Sequence, residues 1–349
     1  MEHTFIHRRL GIAIRRGFSA ILLLTQAIGY LQCTPASDFS ESTSIRSTTG
    51  KSGVEVSIEV SIVKSSTTVF EIRRIDAFVF NTDDGRLDCC QSFECPENKL
   101  DISSSSGDKT IYLIANTPAR DYRWSEIGTL YNFRRMILKL ENDSLEQPAM
   151  VGSTNINSSD KGKCSIQLKP ASARICLNSL TCDFSGTAYE GQKLKNLRVY
   201  LNNVNADTRI DSHLNDAFRF INVGALREDD VKGFASPEII CRSLGVDVDS
   251  KGIKPKIEFL CYANPTIEES LATPFTKLVI EGSIDGETWY YPINIAGGVP
   301  VNGGTSYIYD IVLKRKGCTD PDTIISITDI GMKFKIVQWK EKSEYVAEF

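Results

Sequence analysis

Val54-Glu55-Val56-Ser57-Ile58-Glu59-Val60-Ser61-Ile62 alternates apolar and polar residues without a break. Successive side chains leave a strand on opposite faces, so this period of two predicts a strand with one buried and one wet face. Reading outward, a second strand is predicted over 69–80. There Ile72, Ile75, Ala77, Phe78, Val79 and Phe80 lead into a turn at Asn81-Thr82-Asp83-Asp84-Gly85. A third, 109–115, ends at Asn116-Thr117-Pro118. Beyond polar loops expected around Asn142 and Asn155, β-patterns cover 164–168, 171–182, 193–204, 256–262, 277–284, 288–295, 305–314 and 323–339, with a hairpin turn at Ser283-Ile284-Asp285-Gly286. One helix is predicted, capped by Ser125, with Ile127, Leu130, Tyr131, Ile137 and Leu138 near one face. Many short strands and one helix predict a mainly β protein built of sandwiches. A division near residue 165 gives an N-terminal domain over 54–165 and a C-terminal one over 166–349.

The N-terminus has a different chemistry. Arg8, Arg9, Arg15 and Arg16 precede an apolar run from Ala20 to Leu24, continued loosely to Leu31 and closed by Cys33. That order reads as a secretory signal over 1–33, too short and interrupted for a good spanning helix. Cys33, followed by polar Thr34 and Ser37, stands where a bacterial lipoprotein carries its acyl chains, although Gln32 replaces the usual small residue before it. One lipidated residue tethers a protein to a membrane without spanning it. Residues 34–53 are Ser/Thr-rich and read as a flexible leader. Losing the signal removes four arginines and one glutamate and takes the formal charge from −4 to −7. A mildly acidic chain without a long basic run argues against nucleic acid as a partner.

Candidate chemistry is sparse. Of three histidines, His3 and His7 lie in the signal, which leaves His213 in a polar stretch and removes most Ser–His, Cys–His and metal arrangements. After Cys33, nine cysteines remain at irregular spacing. They are expected mainly as buried thiols, with a bridge conceivable around Cys89, Cys90 and Cys95. Adjacent Cys89-Cys90 is awkward for one tetrahedral metal. Asp247-Val248-Asp249 with Gly252 and Glu258 imitates a calcium loop, but Lys251 and Lys254 oppose a cation. Trp289 and Tyr291 form either a ligand platform or ordinary strand core. No catalytic constellation is found, no cofactor or metal is called for, and an enzyme is not expected.

Several stretches in order resemble the fimbrillin family of Bacteroidales type V pili. They are the lipoprotein-like start, Ile75-Asp76-Ala77-Phe78-Val79-Phe80 before an Asp-Gly turn, Ile114-Ala115-Asn116-Thr117-Pro118, and Ala173-Arg174-Ile175. Leu194-Lys195-Asn196-Leu197-Arg198-Val199-Tyr200, Tyr262-Ala263-Asn264-Pro265 and Tyr290-Tyr291-Pro292-Ile293 follow. Tyr307-Ile308-Tyr309-Asp310-Ile311, Cys318-Thr319-Asp320-Pro321-Asp322 and Trp339 complete the set. The resemblance implies two transthyretin-like β-sandwich domains, export as a lipoprotein, and a structural role in fimbriae as stalk, tip or anchor. It also implies partners: other fimbrial subunits, the outer membrane through a lipid anchor, and host surface ligands in adhesion. In polymerising members a protease cuts after a basic residue in the leader, and an extended segment of another subunit fills the vacated groove. Arg46 is the matching cut, with Lys51 as the alternative; the strand removed or displaced would lie between the leader and 54–63. Equally, Arg46 is an ordinary charge in a linker. A different reading of the same sandwiches is a surface lipoprotein that binds a host glycan or protein without polymerising.

Overall fold

The alternating stretch is the first element of the computed structural model, which describes residues 53–62, 70–94, 96, 98–118, 122, 124–160, 162–212, 218–323, 325, 329–338 and 344–348. In chain order the first strands are β1 (Gly53–Ile62), β2 (Arg74–Asn81), β3 (Leu87–Glu94), β4 (Lys99–Ser105), β5 (Lys109–Ala115), β6 (Ile137–Lys139), β7 (Met150–Ile156) and β8 (Lys163–Pro170). The second run is β9 (Ala173–Cys182), β10 (Lys195–Asn202), β11 (Val204–Asn205), β12 (Asp207–Arg209), β13 (Phe220–Ile221), β14 (Cys241–Ser243), β15 (Ile257–Cys261) and β16 (Lys277–Ile284). The chain closes with β17 (Glu287–Asn294), β18 (Thr305–Leu313), β19 (Ile330–Gln338) and β20 (Glu344–Glu348). The expected mainly β class is what the structure shows.

Seven strands form one sheet in the order β3-β2-β5-β7-β8-β1-β4. β7 and β8 share only the pairs Met150–Pro170 and Val151–Lys169. At that crossing a Cβ on Gly152 would lie 2.6 Å from the Gln167 carbonyl oxygen, so only glycine admits so close an approach. The two leaves on either side, β3-β2-β5-β7 and β8-β1-β4, enclose a core in which Ile58, Val79, Leu113 and Leu168 are fully buried. Each such side chain contributes roughly 1.5–3 kcal/mol by leaving water.

β2 and β5 are buried on both faces. Ile75, Ala77 and Val79 point between the leaves, while Phe78 and Phe80 point the other way, toward Trp124 and Phe133. The Phe78 and Phe133 rings lie 4.5 Å apart. Two-sided burial is why this segment reads as a continuous apolar run and β1 as an alternating one. The Phe78 cluster continues into the second half of the chain, where sheets β14-β10-β16-β17 and β15-β9-β18-β19-β20 contribute Leu201, Tyr291, Leu177 and Tyr309 to the same core. β8 runs across residue 165, and the change of sheet falls between Pro170 and Ala173. The β16–β17 hairpin turns at Asp285 and Gly286 with φ of 53° and 83°, the pair of positive values a two-residue loop needs.

The expected helix is formed only in part, as one short turn of helix within the stretch. A 3-10 turn covers Trp124–Glu126, and α1 (Leu130–Arg134) is capped by the Thr129 hydroxyl, which accepts from the Asn132 amide at 3.3 Å. Ser125 is therefore not its cap, and Leu138 sits in β6, paired with Thr208. Tertiary pairing has overridden a helical spacing that was loose across Arg134. The polar loop expected at Asn155 is instead β7, and polar β3 and β4 carry no apolar pattern strong enough to announce them.

Candidate functional site

β1 occupies the middle of the leaf β8-β1-β4. It pairs with β4 antiparallel from Gly53–Ser105 to Glu59–Lys99, and with β8 parallel from Ser57–Lys163 to Ile62–Leu168. A parallel partner needs a long connection, so β1 is attached to β8 through the rest of the half and not through a hairpin. Val56, Ile58 and Val60 fill the inter-leaf core beside Leu100, Ile102 and Ile166. Gly162 clasps the strand: its carbonyl accepts from the Ser57 amide at 2.7 Å, and a Cβ there would stand 2.4 Å from the Glu55 carbonyl oxygen. Its φ of 68° is a second reason for glycine. Without β1, an apolar groove flanked by two unpaired strand edges would remain.

The residues expected to govern export and processing, Cys33, Arg46 and Lys51, lie outside the described residues, as do the signal over 1–33, all of the leader before Gly53, Cys95, His213 and Trp339. β1 begins beyond both Arg46 and Lys51, so a cut at either leaves β1 on the main product. At the other end β20 is the outermost strand of its sheet, paired to β19 from Lys333–Glu348 to Val337–Glu344.

Trp289 and Tyr291 share one face of β17, but they do not make an exposed platform. Tyr291 is fully buried and its hydroxyl donates to the Arg315 carbonyl at 3.0 Å; burial pushes its pKa up. Trp289 is half-buried, with the Lys316 ammonium 5.2 Å from its ring centre. The calcium-like loop is also dispersed: Glu258 pairs with Arg174 on neighbouring β9, while Asp249 accepts from the Lys251 amide within its own turn. Among the described residues no group of three His, Cys, Asp or Glu is placed to hold a metal. Cys89 and Cys90 are free thiols, and desolvation raises both to a pKa of about 12. That shift disfavours the thiolate, the reactive form of the group.

Sequence patterns did not reveal the buried polar groups. Asp76 is fully buried inside the apolar run of β2; its carboxylate accepts from Arg74 at 2.8 Å, from the Ser92 hydroxyl at 2.5 Å and from the Trp124 indole at 3.2 Å. Asp143 accepts from the Ala149 amide and the Tyr262 hydroxyl, and burial raises its pKa to about 7. A lone acid in an apolar run is the only signal Asp76 left; Asp143, in the polar stretch Glu141-Asn142-Asp143-Ser144, left none. An open cleft of about 460 Å³ lies nearby, lined by Arg73, Asn116, Gln147 and Ser236 among others.

No family profile and no curated protein matches the chain. Solved structures do. A candidate cell adhesion protein from Bacteroides eggerthii superposes with a TM-score of 0.64 at 16% identity, covering 83% of this chain and 97% of that one. A candidate cell adhesion protein from Parabacteroides distasonis gives 0.60 at 14% identity, over 83% and 97%. A fimbrilin from Porphyromonas gingivalis gives 0.59 at 13% identity, over 82% and 97%. At such identities the likeness establishes the fold. This chain has the mainly β fold shared by fimbrilin and cell adhesion proteins of these bacteria.

Proposed function

We propose that the protein is a non-enzymatic structural subunit of cell-surface fimbriae, built as two transthyretin-like sandwiches and joined to other subunits by strand addition. The observation that carries this reading is the placement of β1. Among the described residues it is the first strand and neither of its partners is joined to it by a hairpin; its apolar side is buried in the core, and both its edges are paired. Such a strand can be exchanged for an extended segment of another chain with little change to the rest of the leaf, because main-chain hydrogen bonds and alternating apolar pockets are indifferent to which chain supplies them. An outermost strand such as β20, held on one side, is a natural source of that segment.

In this scheme export begins with the signal over 1–33, Cys33 carries the lipid that brings the chain to the outer membrane, and cleavage after Arg46 frees it. Because β1 starts at Gly53, cleavage would release β1 from its tether so that it could be displaced, rather than remove it. Intact mass and N-terminal sequencing of protein recovered from the cell surface test this. A start at Ser47 without lipid supports protease-triggered assembly and a place in shaft or tip. A start at acylated Cys33 in polymerised material overturns cleavage as the trigger and makes the chain an anchor or a free-standing surface lipoprotein.

A further inference from the structure

Lys109 is 1% exposed, although it opens strand β5 at the rim of the inter-leaf core. It lies on the same face of β5 as Ile111 and Leu113, and across the ladder it stands opposite Asn81, the last residue of β2. Its amine donates to the Asn81 carboxamide oxygen at 2.5 Å and to the Ser105 hydroxyl at 2.8 Å. Asp88 completes the cluster, with a carboxylate oxygen 3.3 Å from the same nitrogen and a side chain 8% exposed. Asp88 reaches this position because β3 is bulged there: Val79 pairs with Cys89 and Phe80 with Leu87, which leaves Asp88 as the extra residue. Bulges recur where a side chain must be re-aimed. Ser104 and Ser105 hydroxyls and the Ser105 amide then hold the carboxylate at 2.6–2.7 Å. Burial alone would raise the Asp88 pKa, but these donors together with Lys109 bring it below the usual value.

A buried amine, a carboxamide and a carboxylate held in contact are the components of an acyl transfer. We infer that Lys109 and Asn81 form an intramolecular isopeptide bond, with Asp88 as the acid–base group, so that β2 and β5 are joined covalently. The ion pair is the resting form; in its minor neutral form Asp88 has taken a proton from the Lys109 ammonium, and the freed amine attacks Cγ of Asn81. The bond from Lys109 Nζ to Asn81 Cγ forms as the Cγ–Nδ2 bond breaks. The departing amide nitrogen takes one proton from the attacking Lys109 nitrogen and leaves as ammonia, the new amide keeps one, and the proton given up first stays on Asp88. A buried ion pair and a primary amide become a secondary amide and a neutral acid, which lowers the charge held away from water. No oxidant or external reactant is required. Loss of ammonia to solvent makes the step irreversible in practice. In a chain that passes tension along a fibre, a cross-link between two central strands would stop the leaf from unzipping.

The test is mass spectrometry of the full chain expressed, folded and then denatured, compared with Lys109→Arg. The expected result is a wild-type mass lower than its composition requires by one ammonia. Proteolysis should then yield a branched peptide containing both Asn81 and Lys109. Lys109→Arg should have its full mass, and Asp88→Asn should accumulate the uncross-linked form. Full mass for the folded wild type, with Asn81 and Lys109 on separate peptides, overturns the proposal. So does an ammonia loss that persists in Lys109→Arg, since that would be cyclisation of Asn81 on its own backbone.

Discussion

β1 and β2 lie in the same folded sheet and both carry several large apolar side chains, valine and isoleucine in β1 and isoleucine, valine and phenylalanine in β2, yet they are stabilised differently. β1 buries alternate residues and shows Glu55, Glu59 and Ser61 to water. β2 buries every residue from Ile75 to Phe80, including a carboxylate. In the proposed scheme the first is the strand that another chain with the same alternation replaces. The second belongs to two cores at once and must match both, so its sequence is constrained at each position. A strand intended for exchange should resemble β1, and one intended to bear load should resemble β2.

That contrast can be broken most severely at Phe78. Phe78→Ala should cost about 3–5 kcal/mol, since the ring is fully buried against Trp124 and Phe133 and leaves a cavity. Chemical denaturation would show the lowered midpoint, and a loss below about 1 kcal/mol would mean that the aromatic cluster is not packed as described.

Asp143 gives a pH-dependent version of the same test. Its folded pKa of about 7 is above the unfolded value, so the folded state binds the proton more tightly. Its contribution is fully present below pH ~4 and is lost as pH rises through about 7, an effect on the order of 3–4 kcal/mol. Asp143→Asn should therefore match the wild type in stability near pH 4 and exceed it near pH 8. Equal pH profiles for the two proteins would contradict the buried, protonated acid.

Gly162→Ala sharpens the comparison from the side of β1. A methyl group there would meet the Glu55 carbonyl and adopt a positive φ. A loss of about 1–3 kcal/mol is expected, together with faster hydrogen exchange confined to β1 and its partners. Exchange that accelerates equally in β2 would show that the two strands do not open separately. The smallest effect belongs to the outer face: Glu59→Ala, exposed and opposite Lys99, should change stability by no more than about 0.5 kcal/mol.

The strands easiest to read from sequence were those whose burial is regular. β1, with one face in the core, and β5, bounded by Asn116-Thr117-Pro118, are found where the pattern puts them, and so is the hairpin at Asp285-Gly286. The helix expected over Ile127 to Leu138 formed only in part because its spacing was loose and β6 found a partner in β12, some seventy residues away in the chain. The aromatic platform failed for a related reason. Tyr291 is as apolar in pattern as any exposed sugar-stacking ring, and only the sheet that covers it shows that its hydroxyl faces Arg315.

Local chemistry was enough to define a mainly β chain and the strand at 53–62, because alternation, turn residues and composition act over a few neighbouring residues. Tertiary structure alone decided the rest. It set β1 between β4 and β8, gave polar β3 and β4 their places, and brought Lys109, Asn81 and Asp88 together. The reason is physical: a strand's edges are completed by segments far away in the chain, and a buried charge is tolerated only where distant groups converge on it.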